Sequence, residues 1–211
     1  ASVAWGDGQT TTAVAVEEIP GAEGLPTVGR AFGAVHSYTA SGVYDVTVSV
    51  TDDDAGAGVR MFQATVDRDP PVTYVSYLGA YVLASAAPAA VPSGLDVFLR
   101  STSEIALFAQ DPRVNEVTSG VQRIFWRKGQ HAPFNLYTVP FRIQGAGEYI
   151  VEYFSVDQRG NEEPHKLLRI GVDDSAPTST VSYGTAAVHA FGLPLLTPDT
   201  PITLTAADLQ A

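Results

Sequence analysis

Apolar and polar residues alternate along much of this chain. Between Tyr44 and Thr51, tyrosine and valine occupy every second position, and aspartate, threonine and serine lie between them. A strand with this pattern has one face against a core and one face in water, which is typical of antiparallel sheets. The alternation therefore predicts β-strands as the main element of the fold.

Other short segments alternate in the same way, and glycine-containing turns separate them. The residues that share a strand face are Val14 and Val16; Phe62, Ala64 and Val66; Ile105, Leu107 and Ala109; Tyr149, Val151, Tyr153 and Ser155; and Leu168, Ile170 and Val172. No segment of helical length repeats apolar residues at the period of about 3.6 that a helix needs. Many short strands at this spacing predict an all-β fold of sandwiches or barrels.

An acidic, proline-containing segment recurs in the chain, and a similar strand follows each copy. The second copy begins 106 residues after the first, at Val172 rather than Val66. The matching segments are Val66–Pro71 with Val172–Pro177, Val75–Tyr77 with Val181–Tyr183, and Ile105–Asp111 with Ile202–Asp208. This is an internal repeat of immunoglobulin-like size.

The repeat divides the chain into three predicted units. The first unit is 1–67, the second is 68–173, and the third is 174–211. The predicted fold class is all-β, with tandem immunoglobulin-like β-sandwiches of which one is complete and two are partial. The joining segments are short and contain proline, which favours semi-rigid linkers.

Composition limits the kinds of partner that this chain can have. Its 211 residues carry a net charge of -11, which argues against nucleic acid and against anionic lipid as binding partners. The apolar stretch near 80–91 contains Ser85 and Pro88 and is too short for a spanning helix, so we expect no membrane span in this segment. There is no cysteine, which excludes disulfides and thiol chemistry.

The first unit resembles a PKD domain, an immunoglobulin-like fold. The residues that carry the resemblance are Trp5-Gly6-Asp7-Gly8, then His36-Ser37-Tyr38, Gly42, and the alternation from Tyr44 to Asp52. The two strands that usually precede the Trp-Gly-Asp-Gly element are absent, and the segment from Glu17 to Val35 is longer than in a minimal PKD domain.

The second unit is similar to an immunoglobulin-like repeat found in tandem in large bacterial surface proteins. The matching residues are Pro71-Val72-Thr73, Ser119-Gly120-Val121, Pro140-Phe141, the alternation from Gly147 to Tyr153, and Asp157, Gly160, Asn161 and Glu163. Residues 177–211 look like the opening two strands of another copy. Both resemblances imply stalk, spacer or adhesion modules outside a prokaryotic cell or on its surface, and they say more about fold than about function.

Acidic residues in the first unit are candidate calcium ligands. PKD-like domains sometimes bind calcium near the Trp-Gly-Asp-Gly turn and after the last motif strand, so the resemblance points to Asp7 and Asp52. Asp53 and Asp54 directly follow Asp52 and are further candidate ligands there. Ca²⁺ takes six to eight oxygen ligands, which carboxylates in a tight loop can supply. The alternative is a solvated hairpin turn.

The acidic residues of the two linkers form a second candidate calcium set. Asp67 and Asp69 lie in the first linker, and Asp173 and Asp174 lie in the second. Asp157, Glu162 and Glu163 are their expected neighbours in space. Calcium here would rigidify the joints between units, and the alternative is ordinary polar linkers. The segment 157–161 itself predicts a turn in which Gly160 or Asn161 has positive φ and Asp157 caps the backbone.

Aromatic residues offer a separate candidate surface. Alternation places most strand aromatics in the core, including Trp126, whereas the loop aromatics are free to contact a glycan or a surface protein. These loop aromatics are Tyr77, Tyr81, Phe98 and Phe134. No nucleophile elbow, phosphate-binding glycine loop or paired-histidine metal motif is present, so we expect no enzymatic activity from this chain.

Three functions are consistent with this sequence. The first is a structural spacer in a large extracellular or cell-surface repeat protein, and the second is an adhesion or carbohydrate-binding module. The third is an accessory segment of an exported hydrolase. The two partial units have two explanations: they are parts of a longer array, or residues 177–211 of one copy complete the first unit of the next by strand addition, which would build a filament.

Overall fold

The computed structural model describes residues 1–12, 15–19, 28–51, 55–83, 94–184, 188–190 and 193–208. Over these ranges the chain consists of strands, turns and irregular segments, with no helix. No helix in these ranges is therefore long and apolar enough to cross a membrane. The protein is all-β and contains several antiparallel sheets, an architecture consistent with a β-sandwich.

The N-terminal part of the chain forms a four-stranded sheet and a separate hairpin. The strands are β1 (Ser2–Ala4), β2 (Thr10–Thr12), β3 (Ala15–Ile19), β4 (Val28–Phe32), β5 (Gly42–Thr51) and β6 (Ala57–Val66). The sheet order is β2-β1-β5-β6, and β3 pairs with β4. The longest pairing joins β5 to β6 over ten residues of each strand.

The predicted inner face of β5 is covered only in part. Val46 is buried, as is Val3 on the neighbouring strand β1. Phe62 lies directly opposite Val46 in the β5–β6 pairing, yet it is 52% exposed. Val50 is also exposed at the far end of the same face. Alternation thus identifies the strands correctly, but among the described residues no second sheet covers the whole face.

The central part of the chain forms two sheets that share a core. Its strands are β7 (Val72–Leu78), β8 (Tyr81–Leu83), β9 (Val97–Leu99), β10 (Glu104–Gln110), β11 (Val121–Lys128), β12 (Asn135–Leu136), β13 (Gly147–Asp157) and β14 (Lys166–Val172). Strands β10 and β7 make the smaller sheet, and the larger sheet has the order β12-β11-β13-β14-β9-β8. The pairing of β14 with β9 is parallel, a departure from a purely antiparallel arrangement.

The core between these sheets contains the residues that alternation predicts. Ile105 and Leu107 come from the smaller sheet, and Val151, Leu168 and Ile170 come from the larger one. The other buried members are Val97, Leu99, Ile143, Tyr153 and Val172. Trp126, expected in the core, is partly buried against it and stacks on Phe141 with ring centroids 3.6 Å apart.

The C-terminal part repeats the pairing of β7 with β10. Its strands are β15 (Thr178–Tyr183), β16 (Val188–Ala190), β17 (Leu193–Leu195) and β18 (Ile202–Ala207). Val75 pairs with Leu107 in the central part, and Val181 pairs with Leu204 here. Tyr77 and Ile105 likewise correspond to Tyr183 and Ile202. The sequence repeat is therefore also a repeat of strand register, although Leu204 is 74% exposed whereas Leu107 is buried.

Candidate metal centre

The linker between β6 and β7 is hydrogen-bonded to Ser41 of the N-terminal part. The buried Ser41 hydroxyl accepts from the backbone N–H of Arg68 at 2.9 Å and donates to the Asp69 carboxylate. The Asn115 side-chain amide donates to the Ser41 carbonyl at 2.9 Å. Ser41 precedes β5, and Asn115 lies between β10 and β11. These bonds therefore join the N-terminal sheet, the linker and a loop of the central part.

Asp67 joins the linker to two loops of the central part. Its Oδ2 accepts from the backbone N–H of Ser119 at 2.6 Å. Its carbonyl oxygen accepts from the Asn161 side-chain amide at 3.1 Å. Ser119 and Asn161 belong to two different loops, so the Asp67 carboxylate lies where those loops meet.

Asp111 follows β10 and organises the first of these loops. Its Oδ2 accepts from the Thr118 hydroxyl at 2.9 Å, from Ser119 N–H at 3.1 Å and from Gly120 N–H at 2.6 Å. Asp111 is only 9% exposed. Because the Ser119 N–H donates both to this oxygen and to Asp67 Oδ2, the two carboxylates share one donor and lie side by side.

Asp157 ends β13 and organises the second loop as predicted. Its Oδ1 accepts from the backbone N–H groups of Arg159 and Asn161 at 2.7 and 2.8 Å, and Gly160 has a φ of 87°. Its Oδ2 accepts from the Asn161 side-chain amide at 2.6 Å. Burial alone would raise the pKa of the Asp157 carboxyl, but hydrogen bonds from Asn161 and Arg159 outweigh it and hold that pKa below 3.8. Asp157 is therefore a buried carboxylate that keeps its charge.

Together these loops bring three carboxylates to one point. Asp67, Asp111 and Asp157 each offer one ligand oxygen, and these oxygens lie within 4.8 Å of one another. Asp157 is fully buried, Asp111 is buried and Asp67 is half-buried. Within the described ranges, none of the three is paired with a lysine, an arginine or a histidine. The cluster thus concentrates negative charge without a compensating side chain.

Two buried polar atoms at this cluster have no hydrogen-bond partner. They are Asp111 Oδ1 and Ser119 Oγ, and the described ranges contain no other buried side-chain atom of this kind. Because native structures satisfy most buried polar groups, unpartnered oxygens beside three carboxylates identify this point as a candidate cation site.

The structure unites two of the sequence-predicted ligands and adds one that the sequence analysis missed. Asp67 and Asp157 were expected to be neighbours, and they are. The sequence pattern alone does not predict Asp111 as a ligand. A signal for it existed, because Asp111 recurs as Asp208 in the second copy of the repeat.

The other candidate ligands of the linkers lie elsewhere. Asp69 bonds to Ser41 and is not part of the cluster. Asp173 follows β14 and accepts from the backbone N–H of Ser175 at 2.8 Å. Asp174 accepts from Ser101 N–H at 3.0 Å, and this hydrogen bonding lowers the pKa of Asp174.

Of the candidate calcium ligands in the first unit outside the linker, Asp7 alone lies within the described residues. Its carboxylate contacts His36 Nε2 at 2.8 Å and accepts from Gln9 N–H at 3.0 Å. Trp5 stacks on the same histidine with ring centroids 4.9 Å apart. Asp52 and Asp53 lie outside the described residues.

The two glutamates that were expected near the linker bind other groups. Glu163 is buried and accepts from the backbone N–H groups of Thr73 and Ser155. Lys166 pairs with it at 2.8 Å. Glu162 contacts His165 at 3.2 Å.

Most of the loop aromatics proposed as ligand contacts pack against the protein. Tyr77 lies in β7 against the core, and burial raises its pKa to about 12. Phe98 lies in β9 with its ring against the position of Gly171. Phe134 packs edge-on against Phe154. Tyr81 is the one of the four that remains largely exposed.

A surface pocket of about 450 Å³ lies beside β13 and β14. Its lining residues are Gly94, Leu95, Glu148, Tyr149, Ile150 and Arg169. Lys128 lies over the Tyr149 ring at 4.2 Å. Among the described residues, its lining contains one acidic side chain, Glu148, and one basic side chain, Arg169.

No protein-family model, curated protein or solved structure matches this chain.

Proposed function

We propose that this chain is a non-catalytic spacer segment of a large extracellular or cell-surface repeat protein of prokaryotic origin. In this proposal the units 1–67, 68–173 and 174–211 are tandem immunoglobulin-like modules. The observation that carries it is the hydrogen-bonded joint at Ser41, Asp67, Asp69 and Asn115. The location outside the cell follows from the resemblances to PKD and bacterial surface repeats.

The joint has the properties that a rigid spacer needs. The linker contains Pro70 and Pro71, whose rings restrict φ, and Pro71 is fully buried. Asp67 and Asn115 then connect the linker and the first unit to two loops of the second unit. Bending the joint would break these bonds, so the modules are held in one relative orientation. An array of such modules extends its reach in proportion to their number.

The repeated strand register supports the tandem arrangement. Strands β15 and β18 pair in the same register as β7 and β10, and the segment before each pair is acidic and contains proline. In this proposal one structural unit is used twice along the chain. This is how repeat proteins gain length without a new fold.

Removing the Asn115 side chain is expected to loosen the joint. Asn115 has a φ of 47°, so Asn115→Gly deletes the bond to Ser41 without backbone strain. The chain has no cysteine, so spin labels attach only at cysteines introduced at the exposed Val59 and Val139. Pulsed dipolar spectroscopy in a chelating buffer should give one narrow distance distribution for the parent and a broader one for the variant.

Two controls define the scale of this measurement. Glu116→Gly changes the neighbouring residue, which also has positive φ. Within the described part of the chain the Glu116 side chain is paired with the exposed Arg113 alone, so this variant should keep the distance distribution narrow. Glycines inserted between Asp69 and Pro70 give the limit of a loose joint. A parent distribution as broad as that limit would refute the spacer proposal.

A second candidate function, glycan or surface-protein binding, is favoured by one exposed aromatic pair. Tyr74 and Phe108 lie directly opposite each other on β7 and β10, stack at 5.1 Å and face outward. A glycan array with the parent and Tyr74→Ala separates the two functions. If the chain is a spacer, the array should retain the parent no better than Tyr74→Ala. Retention of the parent that disappears in Tyr74→Ala would favour the binding function.

A further inference from the structure

The geometry points to a Ca²⁺ site formed by Asp67, Asp111 and Asp157, at the joint between the first and second predicted units. The inference deepens the proposed function, because it names the ion that would lock the spacer joint. Asp67 comes from the linker, and the other two ligands come from separate loops of the central part. The site is therefore complete only when the linker is docked.

The charge of the cluster favours a bound cation. Three carboxylates offer oxygens within 4.8 Å of one another, and no basic side chain of the described ranges pairs with them. Buried charges in proteins are paired with an opposite charge or coordinate a metal. Hydrogen bonds from Ser119, Gly120 and Asn161 orient these carboxylates but bring no positive charge.

The unpartnered atoms point independently to a ligand. Asp111 is nine-tenths buried, and its Oδ2 is fully used by three donors, whereas its Oδ1 has no partner. The same carboxylate lies beside that of Asp67, because its Oδ2 shares the Ser119 N–H with Asp67 Oδ2. Ser119 Oγ is the second unpartnered buried oxygen of this loop. A cation would satisfy both oxygens together.

The ligand set selects calcium among the common divalent ions. Ca–O distances are about 2.3–2.6 Å, so oxygens around one ion lie up to about 5 Å apart, and the cluster is within that span. Zinc prefers nitrogen and sulfur ligands, and the cluster supplies oxygen alone. Mg²⁺ is usually held by one or two carboxylates with several waters, in contrast to this set of three carboxylates.

Calcium titration of the full chain tests the site. The chain is freed of metal with EDTA and then titrated with CaCl₂ to about 5 mM, above the dissociation constants of about 0.1–1 mM at which extracellular calcium modules bind. Calorimetry measures binding, and thermal unfolding followed by tryptophan fluorescence measures the shift in Tm. We expect saturable binding and a rise in the Tm of the parent chain, because a ligand of the folded state stabilises it.

Two variants and one control assign the ion to these residues. Asp111→Asn and Asp67→Asn each remove one ligand charge and keep the side-chain shape, and both should lose the calcium-dependent rise in Tm. In EDTA, Asp111→Asn should unfold at the same temperature as the parent or higher, because it relieves repulsion between like charges. Glu116→Gln removes one charge from the same loop at an 83% exposed side chain and should retain the full calcium response.

The outcomes separate this inference from the proposed function. An unchanged parent Tm with Ca²⁺, an equal response to MgCl₂, or a full response of Asp111→Asn would each overturn the calcium site. None of these results affects the joint measurement, which is made in chelator. A narrow distance distribution without calcium binding would thus support the spacer proposal and reject the calcium site.

Discussion

Replacing Glu163 with alanine is expected to lower the free energy of unfolding of the central part of the chain by roughly 3–5 kcal/mol. Glu163 is buried and connects the first strand of this part, β7, to β13. It accepts from the Thr73 and Ser155 backbone N–H groups at 3.0 and 2.9 Å, and both hydroxyls donate to it as well. Alanine would leave these donors without an acceptor in the core.

Urea unfolding followed by tryptophan fluorescence measures this loss. The chain has two tryptophans, Trp5 in the N-terminal sheet and Trp126 against the central core, so a Trp5→Phe background reports on the central part alone. Glu162→Ala is the matched control. Its exposed side chain is paired with His165 alone among the described residues, so its loss should change stability by at most about 0.5 kcal/mol. Equal effects of the two substitutions would contradict the proposed role of Glu163.

The same residue sets part of the acid sensitivity. Burial would raise the pKa of Glu163, but Lys166 and the hydrogen bonds from Thr73 outweigh it and lower the pKa below 4.5. Since the folded-state pKa is the lower one, this stabilisation is complete above about pH 4.5 and is lost as the pH falls through the folded-state value. Glu163→Gln should therefore be less stable at neutral pH and lose less stability on acidification than the parent.

Alternation predicts the central part better than the N-terminal part, for a physical reason. Ile105, Val151 and Ile170 lie on predicted faces and are fully buried, because two sheets are present to enclose them. Phe62 lies on an equally regular face and is half-exposed. Periodicity identifies which residues share a face, but what covers that face depends on long-range packing that a local pattern does not contain.

The candidate metal centre also combines residues that a local pattern predicts with one that only long-range folding brings into place. Asp157 was predictable from its turn, and Asp67 from an acidic linker that recurs in the chain. Asp111 is 44 residues from Asp67 and 46 from Asp157, and only the folding of the loop between β10 and β11 brings it beside them. Both aspartates recur in the sequence repeat, where Asp173 and Asp208 occupy the positions of Asp67 and Asp111.

Replacing Ile105 with alanine is expected to cost about 2–5 kcal/mol and to test the two-sheet packing directly. Ile105 is fully buried, lies on the smaller sheet, and exchanges two backbone hydrogen bonds with Phe141 at 2.8 and 3.1 Å. Its side chain lies between the sheets, so truncation leaves a cavity that neither sheet can close. Ile105→Val removes one methylene and should cost only about 0.5–1.5 kcal/mol.

Phe108 provides the comparison, because it lies three residues further along the same strand and points to the opposite face. It is 54% exposed and contacts Tyr74, so Phe108→Ala should cost about 0.5–1.5 kcal/mol despite removing a larger side chain. Urea unfolding of the three variants in the Trp5→Phe background gives the order of their losses in free energy of unfolding. If the larger loss came from Phe108→Ala, the smaller sheet would have to pack through its other face, and the core described for the central part would be wrong. A β-sandwich requires Ile105→Ala to lower the free energy of unfolding more than Phe108→Ala does, because only the inward residue is enclosed by both sheets.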